Sequence, residues 1–402
     1  MTHRFGLIRR FRFNRPQKIA AALLMLFLVQ GLWLTSRQPL TEQDYQYARC
    51  GRETWERPSP LAGYYTSCGN IHDGILAYRL AGLPLTLNLM AERALDLFRK
   101  PEDRVLQAGS EPSTWELRHQ MTYALLLLRL PFLAAGVMLG GCLWWVTRRL
   151  YGNLGGYTAL ALYCFCPAVL RATVQPNPDI LAALGVYGGV YTAIGVAHAM
   201  LGPRRKWRPR IVLLTLILAA AAASHIAALA VAALLGLALM LWVAEGHRSL
   251  ILPILLGTSF GALVLVFACY GFSPDAFSYL FRSGAGLLSV SLAPAQRFFG
   301  SLPEAGIAIA SAAALALYVA SRRSRYFGNT APLICALVCM VLVMTGSPGT
   351  PWLWSIPFLL TFNGGVFADA CETARPRPAL TAAATLIGLQ AILCVLSLFG
   401  EM

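Results

Sequence analysis

The chain has 402 residues, a net charge of +15, and 57% hydrophobic against 13% charged residues, with a mean hydropathy of +0.58. A soluble fold carries about 25% charged residues and has no core for this much apolar surface, so soluble multidomain, disordered and collagen-like architectures are excluded. The basic excess sits in short gaps between apolar stretches, at Arg4–Lys18, Arg148-Arg149, Arg204–Arg210, Arg248, Arg322–Arg325 and Arg375–Arg377, which reads as cytoplasmic loops and not as a nucleic-acid surface.

Residues 1–18 form a basic cytoplasmic tail and 19–35 a first transmembrane helix. Leu34-Thr35-Ser36-Arg37 is a poor cleavage site, so this segment reads as an uncleaved anchor. Residues 36–120 follow as an external loop in which basic and acidic residues nearly balance. Within it Thr41 caps a short helix running to Glu56. Gly74 to Phe98 reads as interfacial helices broken at Gly82-Leu83-Pro84. Residues 121–272 hold transmembrane helices 2–7, 273–304 a second, glycine-rich external loop, and 305–402 helices 8–11. The apolar run Ile211–Val243 is about 50 Å long as one helix, against roughly 30 Å of hydrocarbon. A break at Ser224-His225 makes two short crossings and keeps every basic gap on the cytoplasmic side. The expected fold is an all-α polytopic membrane protein of about eleven transmembrane helices, with amphipathic interfacial helices in the first external loop. Its N-terminus is cytoplasmic and its C-terminus external.

Eight of the ten cysteines lie in or beside spans, where a thiol acts as a small hydrophobe. Cys50 and Cys68 share the external loop and are expected as a disulfide in an oxidising compartment. No Cys-x-x-Cys pair or His/Cys cluster suggests a metal site, and no glycine-rich phosphate loop suggests a nucleotide. The chemistry therefore rests on acids and cations at the outer surface. Asp44 and Glu42 follow the first span directly, with Arg49 and Arg52 about one turn along. Asp179 opens a span after Asn177-Pro178, where an acid caps a helix or serves a site. His225 is an ionisable group at a break in apolar sequence. Arg282 and Arg297, in the second external loop, suit a lipid gate or an anionic acceptor.

These motifs resemble the bacterial GT-C glycosyltransferases, the protein O-mannosyltransferase and aminoarabinose lipid A transferase group. That group shows Asp-Glu-x-x-Tyr-Ala-x-x-x-Arg-Glu after span 1; here Gln43-Asp44-Tyr45-Gln46-Tyr47-Ala48 and Arg52-Glu53 stand at that spacing. Arg129-Leu130-Pro131 and Arg148-Arg149-Leu150-Tyr151-Gly152 match the motifs that open and close span 2. Pro167, Asn177-Pro178-Asp179, Ser224-His225 and the loop Gly346–Pro351 follow in order. The chain departs from the family in carrying Gln43-Asp44 for Asp-Glu, His225 for a Lys, and no Lys or His before Pro84.

The resemblance implies a multi-pass protein of the bacterial inner membrane that transfers a sugar from a polyprenyl-phosphate donor to an acceptor hydroxyl of a glycan, lipid or protein on the periplasmic face. Transfer would be an inverting single displacement with Asp44, helped by Glu42, as general base. The donor phosphate would meet Arg129, His225, Arg52 and Arg282, with Asp179, Arg79, His72 and Arg297 as further candidates. No cofactor is implied, and a divalent cation stays open. Partners are the lipid-linked donor, the acceptor, membrane lipids and a further membrane protein, without nucleic acid. The alternatives are a catalytically inactive GT-C-fold subunit of a membrane assembly and a lipid or solute transporter.

Overall fold

The computed structural model describes residues 15–56, 74–98, 114–201, 207–244, 248–282, 288–344, 351–372 and 376–400. In chain order its helices are α1 (Arg15–Arg37), α2 (Glu42–Glu56), α3 (Ile75–Phe98), α4 (Thr114–Cys164), α5 (Pro167–Thr173), α6 (Pro178–Met200), α7 (Trp207–Ser224) and α8 (Ile226–Val243). There follow α9 (Arg248–Cys269), α10 (Pro274–Arg282), α11 (Ala293–Gly300), α12 (Ala305–Ala320), α13 (Phe327–Val341), α14 (Ile356–Cys371) and α15 (Pro376–Gly400). Short 3₁₀ turns cover Leu302–Glu304, Arg322–Ser324 and Pro351–Ser355. Helices dominate because hydrocarbon leaves backbone N–H and C=O groups no water partner, so each span must satisfy its own.

Among the described residues seven helical stretches are long and apolar enough to cross a bilayer: Arg15–Arg37, Met121–Cys164, Pro178–Met200, Ile226–Val243, Arg248–Cys269, Leu302–Ala320 and Arg377–Leu398. The shorter apolar Phe327–Val341 is set apart from them. Further expected crossings fall on α7 and α14. The chain is a predominantly helical, multi-pass membrane protein. Helices α6 and α14 form its centre, since most of their side chains are buried. Leu256 and Phe260 of α9 and Ile392 and Leu396 of α15 face outward, as apolar side chains do toward lipid.

Three local features bear on the expected spans. First, α4 is two helices joined at Gly152, whose φ of 75° and ψ of −170° suit glycine alone. The basic motif Arg148–Gly152 thus ends in a turn. Second, the helix that follows Gly152 ends at Cys164, because Pro167 begins α5. Third, α3 passes without interruption through Gly82 and Pro84. Gly82 is a contact surface and not a breaker there. A Cβ on it would come within 2.1 Å of the Gly51 carbonyl, and one on Gly51 within 2.4 Å of the Tyr78 carbonyl. Helices α2 and α3 therefore meet backbone to backbone, and Tyr47 stacks on Tyr78 beside that contact at 4.2 Å between ring centroids.

The second external loop also gains structure that periodicity did not suggest. A strand, β1 (Leu288–Val290), pairs antiparallel with β2 (Leu342–Met344) at the end of α13. The break at His225 does form. Its backbone is extended (φ −149°, ψ 128°), yet its N–H reaches Ala221 at 2.9 Å and its carbonyl accepts from Ala228 at 3.0 Å. The chain turns there without leaving either group unsatisfied.

Candidate active site

Helix α2, the first element after α1, starts with a reciprocal cap. The Asp44 N–H donates to Thr41 Oγ1 at 3.2 Å, while Thr41 N–H and hydroxyl donate to Asp44 Oδ2 at 2.9 and 2.7 Å. This is the capping box expected at Thr41, closed by Asp44 in the third helical position. It turns the Asp44 carboxylate inward, against α4. There Arg129 donates through Nε to Oδ1 at 3.1 Å and through Nη2 to Oδ2 at 2.6 Å. Its other donors reach the carbonyls of Thr35, Gln38 and Pro39 at 3.3, 3.3 and 2.9 Å. A guanidinium has five N–H groups, and those of Arg129 make these five bonds. Both side chains are 0% exposed.

The pair ties the C-terminal carbonyls of α1, where a cation is electrostatically favoured, to the start of α2. Burial opposes the charge on Asp44, but the hydrogen bonds from Arg129 and Thr41 outweigh it and hold the carboxyl below its ordinary value of 3.8. Two expected roles change accordingly. As general base Asp44 needs an oxygen open to an acceptor, but both its oxygens are engaged inside the protein. Arg129 was read as a phosphate ligand, but its donors are committed to Asp44 and three carbonyls.

A second buried pair forms a short way along the same surface. Asn177 caps α6 by accepting from the Asp179 N–H at 2.8 Å, and Pro178 fills the first helical position. The Asp179 Oδ1 lies 3.0 Å from His225 Nε2, with the side chains 1% and 4% exposed. Trp354 of the 3₁₀ turn Pro351–Ser355 stands beside the imidazole, 6.0 Å between ring centroids. Gly74, at the foot of α3, packs against Pro178 and Ser224. Gln43 of α2 is exposed and donates through Nε2 to the Pro176 carbonyl at 3.1 Å. Neighbouring residues of one helix thus address the two pairs: Asp44 faces Arg129, and Gln43 reaches the turn that carries Asp179.

The remaining candidates are dispersed. Glu42 is exposed at the start of α2. Arg52 Nε bonds Glu56 at 2.8 Å, on the rim of a cavity of about 570 Å³ shared with Arg49, Glu53 and Glu92. The Arg79 guanidinium lies 5.1 Å from the centre of the Trp55 ring and donates to the Cys269 carbonyl at 2.8 Å, while Trp55 Nε1 donates to the Arg79 carbonyl at 2.8 Å. Arg79 therefore links α2, α3 and α9, away from the His225 pair. Arg282 ends α10, its side chain outside the described residues, and Arg297 is exposed on α11. His72 and Cys68 lie outside the described residues; Cys50 is disulfide-bonded. Among the described residues no group of three His, Cys, Asp or Glu could hold a metal ion.

Sequence reasoning passed over Glu304. It is buried and accepts from the Ala168 N–H at 2.7 Å and from the Cys166 thiol at 3.6 Å. Its partners are more than 130 residues away, so no local pattern marks it. The one available signal was an acid standing immediately before an apolar run.

No family model and no curated protein sequence matches the chain. Its structure does match. ArnT from Cupriavidus metallidurans in the apo state superposes with a TM-score of 0.60 at 13% identity, over 96% of this chain and 76% of that one. ArnT bound to undecaprenyl phosphate gives 0.53 at 14%, over 95% and 70%. The Archaeoglobus fulgidus oligosaccharyltransferase in complex with zinc and sulfate gives 0.54 at 11%, over 94% of this chain but 52% of that chain.

The fold is GT-C. Both neighbours belong to the GT-C superfamily, and the agreement covers 96% and 94% of this chain. At these identities it establishes the GT-C architecture and leaves the chemistry to be argued from the residues.

Proposed function

We propose that this GT-C chain is an inverting glycosyltransferase that takes a sugar from a polyprenyl-phosphate carrier at the external, periplasmic face of a bacterial inner membrane. The observation that carries this reading is the grouping, beneath α2, of a buried Asp–Arg clamp and a buried Asp–His pair at the outer ends of the spans. One fold neighbour was crystallised with undecaprenyl phosphate, which supports a lipid-linked donor here.

Removing a proton from an alcohol calls for a base with a pKa near the working pH. Asp44, held low and sealed by Arg129, is a positioning residue in this reading: it fixes α2, and with it Gln43, over the site. We assign the base to His225, oriented by Asp179 in the way a carboxylate orients a catalytic imidazole. The acceptor oxygen attacks the anomeric carbon as the bond from that carbon to the carrier phosphate breaks. The imidazole takes the hydroxyl proton and the polyprenyl phosphate leaves as an anion. The configuration inverts because there is one displacement.

The assay is transfer of labelled sugar from a panel of polyprenyl-phosphate sugars in vesicles carrying the full chain. His225→Asn should lower turnover by about 10²–10⁴-fold with the fold intact; undiminished turnover would remove the assigned base. A second reading, a catalytically inactive GT-C subunit of a membrane assembly, draws support from Gln43, an amide where the family it resembles has an acid. Lipid-carrier binding without transfer of any sugar would favour it.

A further inference from the structure

Trp354 stands beside the Asp179–His225 pair and is 1% exposed, yet its Nε1–H meets no acceptor among the described residues. A buried indole ordinarily finds a partner, and a buried donor without one forfeits the hydrogen bond it had in water. The segment that carries this indole is firmly held. The turn Pro351–Ser355 packs against α6 and α13. A bond from the Ser355 hydroxyl to the Trp352 carbonyl tightens it, and it runs directly into α14, whose first turn contains Pro357. Trp352, two residues earlier, lines a cavity of about 290 Å³, at the low end of ligand pockets. One turn therefore borders both the buried pair and a space that a small ligand can enter.

The two rings ask different things of a ligand. In the proposed reaction, on which this inference rests, the imidazole receives a proton from an alcohol. The indole N–H can only donate, whereas a hydroxyl both donates and accepts. With their centres 6.0 Å apart, the rings are near enough to meet one small molecule. A ligand that satisfies both carries two neighbouring oxygens: one hydroxyl gives its proton to His225, and the other accepts from Trp354. Adjacent carbons of a sugar ring present such a pair. A serine or threonine side chain offers one hydroxyl and leaves the indole unpaired. A phosphate would bring a second negative charge to a pocket that already holds the Asp179 carboxylate.

We infer that Trp354 is a specificity-determining residue that selects a carbohydrate acceptor, its N–H holding the hydroxyl next to the one that His225 deprotonates. This narrows the acceptor from any alcohol to a vicinal diol. A site built to bond a hydroxyl rejects the analogue that lacks it, because the site's own polar group is then left unpaired.

The test uses the full chain in nanodiscs with isotope-labelled tryptophan, read by the indole N–H resonances. The Trp354 resonance is the one absent in Trp354→Phe and displaced in His225→Asn; the second variant identifies it even where the first fails to fold. The probes are the methyl glycosides of mannose, glucose and galactose, cyclohexanol as a ring with a single hydroxyl, and a peptide containing serine and threonine. A glycoside should move the resonance downfield, and cyclohexanol and the peptide should leave it in place. Trp354→Phe keeps an aromatic ring and drops the donor. It should lower kcat/KM for transfer to that glycoside by about 10–100-fold, with transfer to cyclohexanol equally slow in variant and wild type. A resonance unmoved by every glycoside, one moved by the peptide instead, or an equal loss of transfer to glycoside and cyclohexanol overturns the inference. Transfer that survives His225→Asn while the glycoside still moves the resonance would count against the proposed base alone.

Discussion

Arg129→Met should unfold the outer end of the molecule more readily than any substitution on its surface. Methionine roughly preserves the volume of the side chain but removes all five N–H donors. Asp44 would remain at 0% exposure with Thr41 as its source of hydrogen bonds, and the carbonyls of Thr35, Gln38 and Pro39 would lose a donor. Removing one partner of a buried ion pair costs about 3–5 kcal/mol, because the charge left behind is uncompensated. The double variant Asp44→Asn/Arg129→Met removes both charges and should recover part of that loss, since contacting residues are not additive. The measurement is denaturant unfolding of the three variants and wild type in one detergent. A change of less than about 1 kcal/mol in Arg129→Met, the size of an exposed pair, would refute the claim that this clamp secures α2 to α1 and α4.

The same pair gives a pH dependence of definite sign. The folded carboxyl of Asp44 lies below its ordinary value of 3.8, so its stabilisation is complete above that value and is lost as pH falls toward the folded one; melting followed from pH 6 to pH 3 should show this acid loss in wild type and less of it in Asp44→Asn. Gly82→Ala should force α2 and α3 apart, at a cost of about 1–3 kcal/mol for overpacking, visible as faster proteolysis at their ends with unchanged helix content. Cys50→Ser, or reduction of the wild type, should lower stability by about 2–5 kcal/mol, as loss of a native disulfide does; a melting temperature indifferent to reductant would show that the bond contributes nothing.

Much of the helical framework was legible because the bilayer imposes simple arithmetic on sequence. The run Ile211–Val243 is too long for one crossing, and together with the side of the basic gaps that marked the turn at His225. Loop acids and the capping Thr41 likewise marked where α2 begins. What periodicity missed depends on partners distant in the chain. Gly82-Leu83-Pro84 reads as a break, yet Gly82 meets the backbone of Gly51, and that contact accompanies a continuous helix. Asp44 reads as a general base until Arg129, 85 residues later, is brought beside it. The pairing of Asp179 with His225, separated by 46 residues, was open to neither spacing nor composition, though each residue alone stood out as a charge at the end of an apolar run.

The glycine contact between α2 and α3 also constrains traffic. With carbonyls and amides of the two helices pressed together at Gly51 and Gly82, the proposed reaction has no seam between α2 and α3 through which its substrates could pass. Molecules that reach the interior must come around the margins of this lid, and residues that differ there would choose what is admitted without touching the groups that act on it.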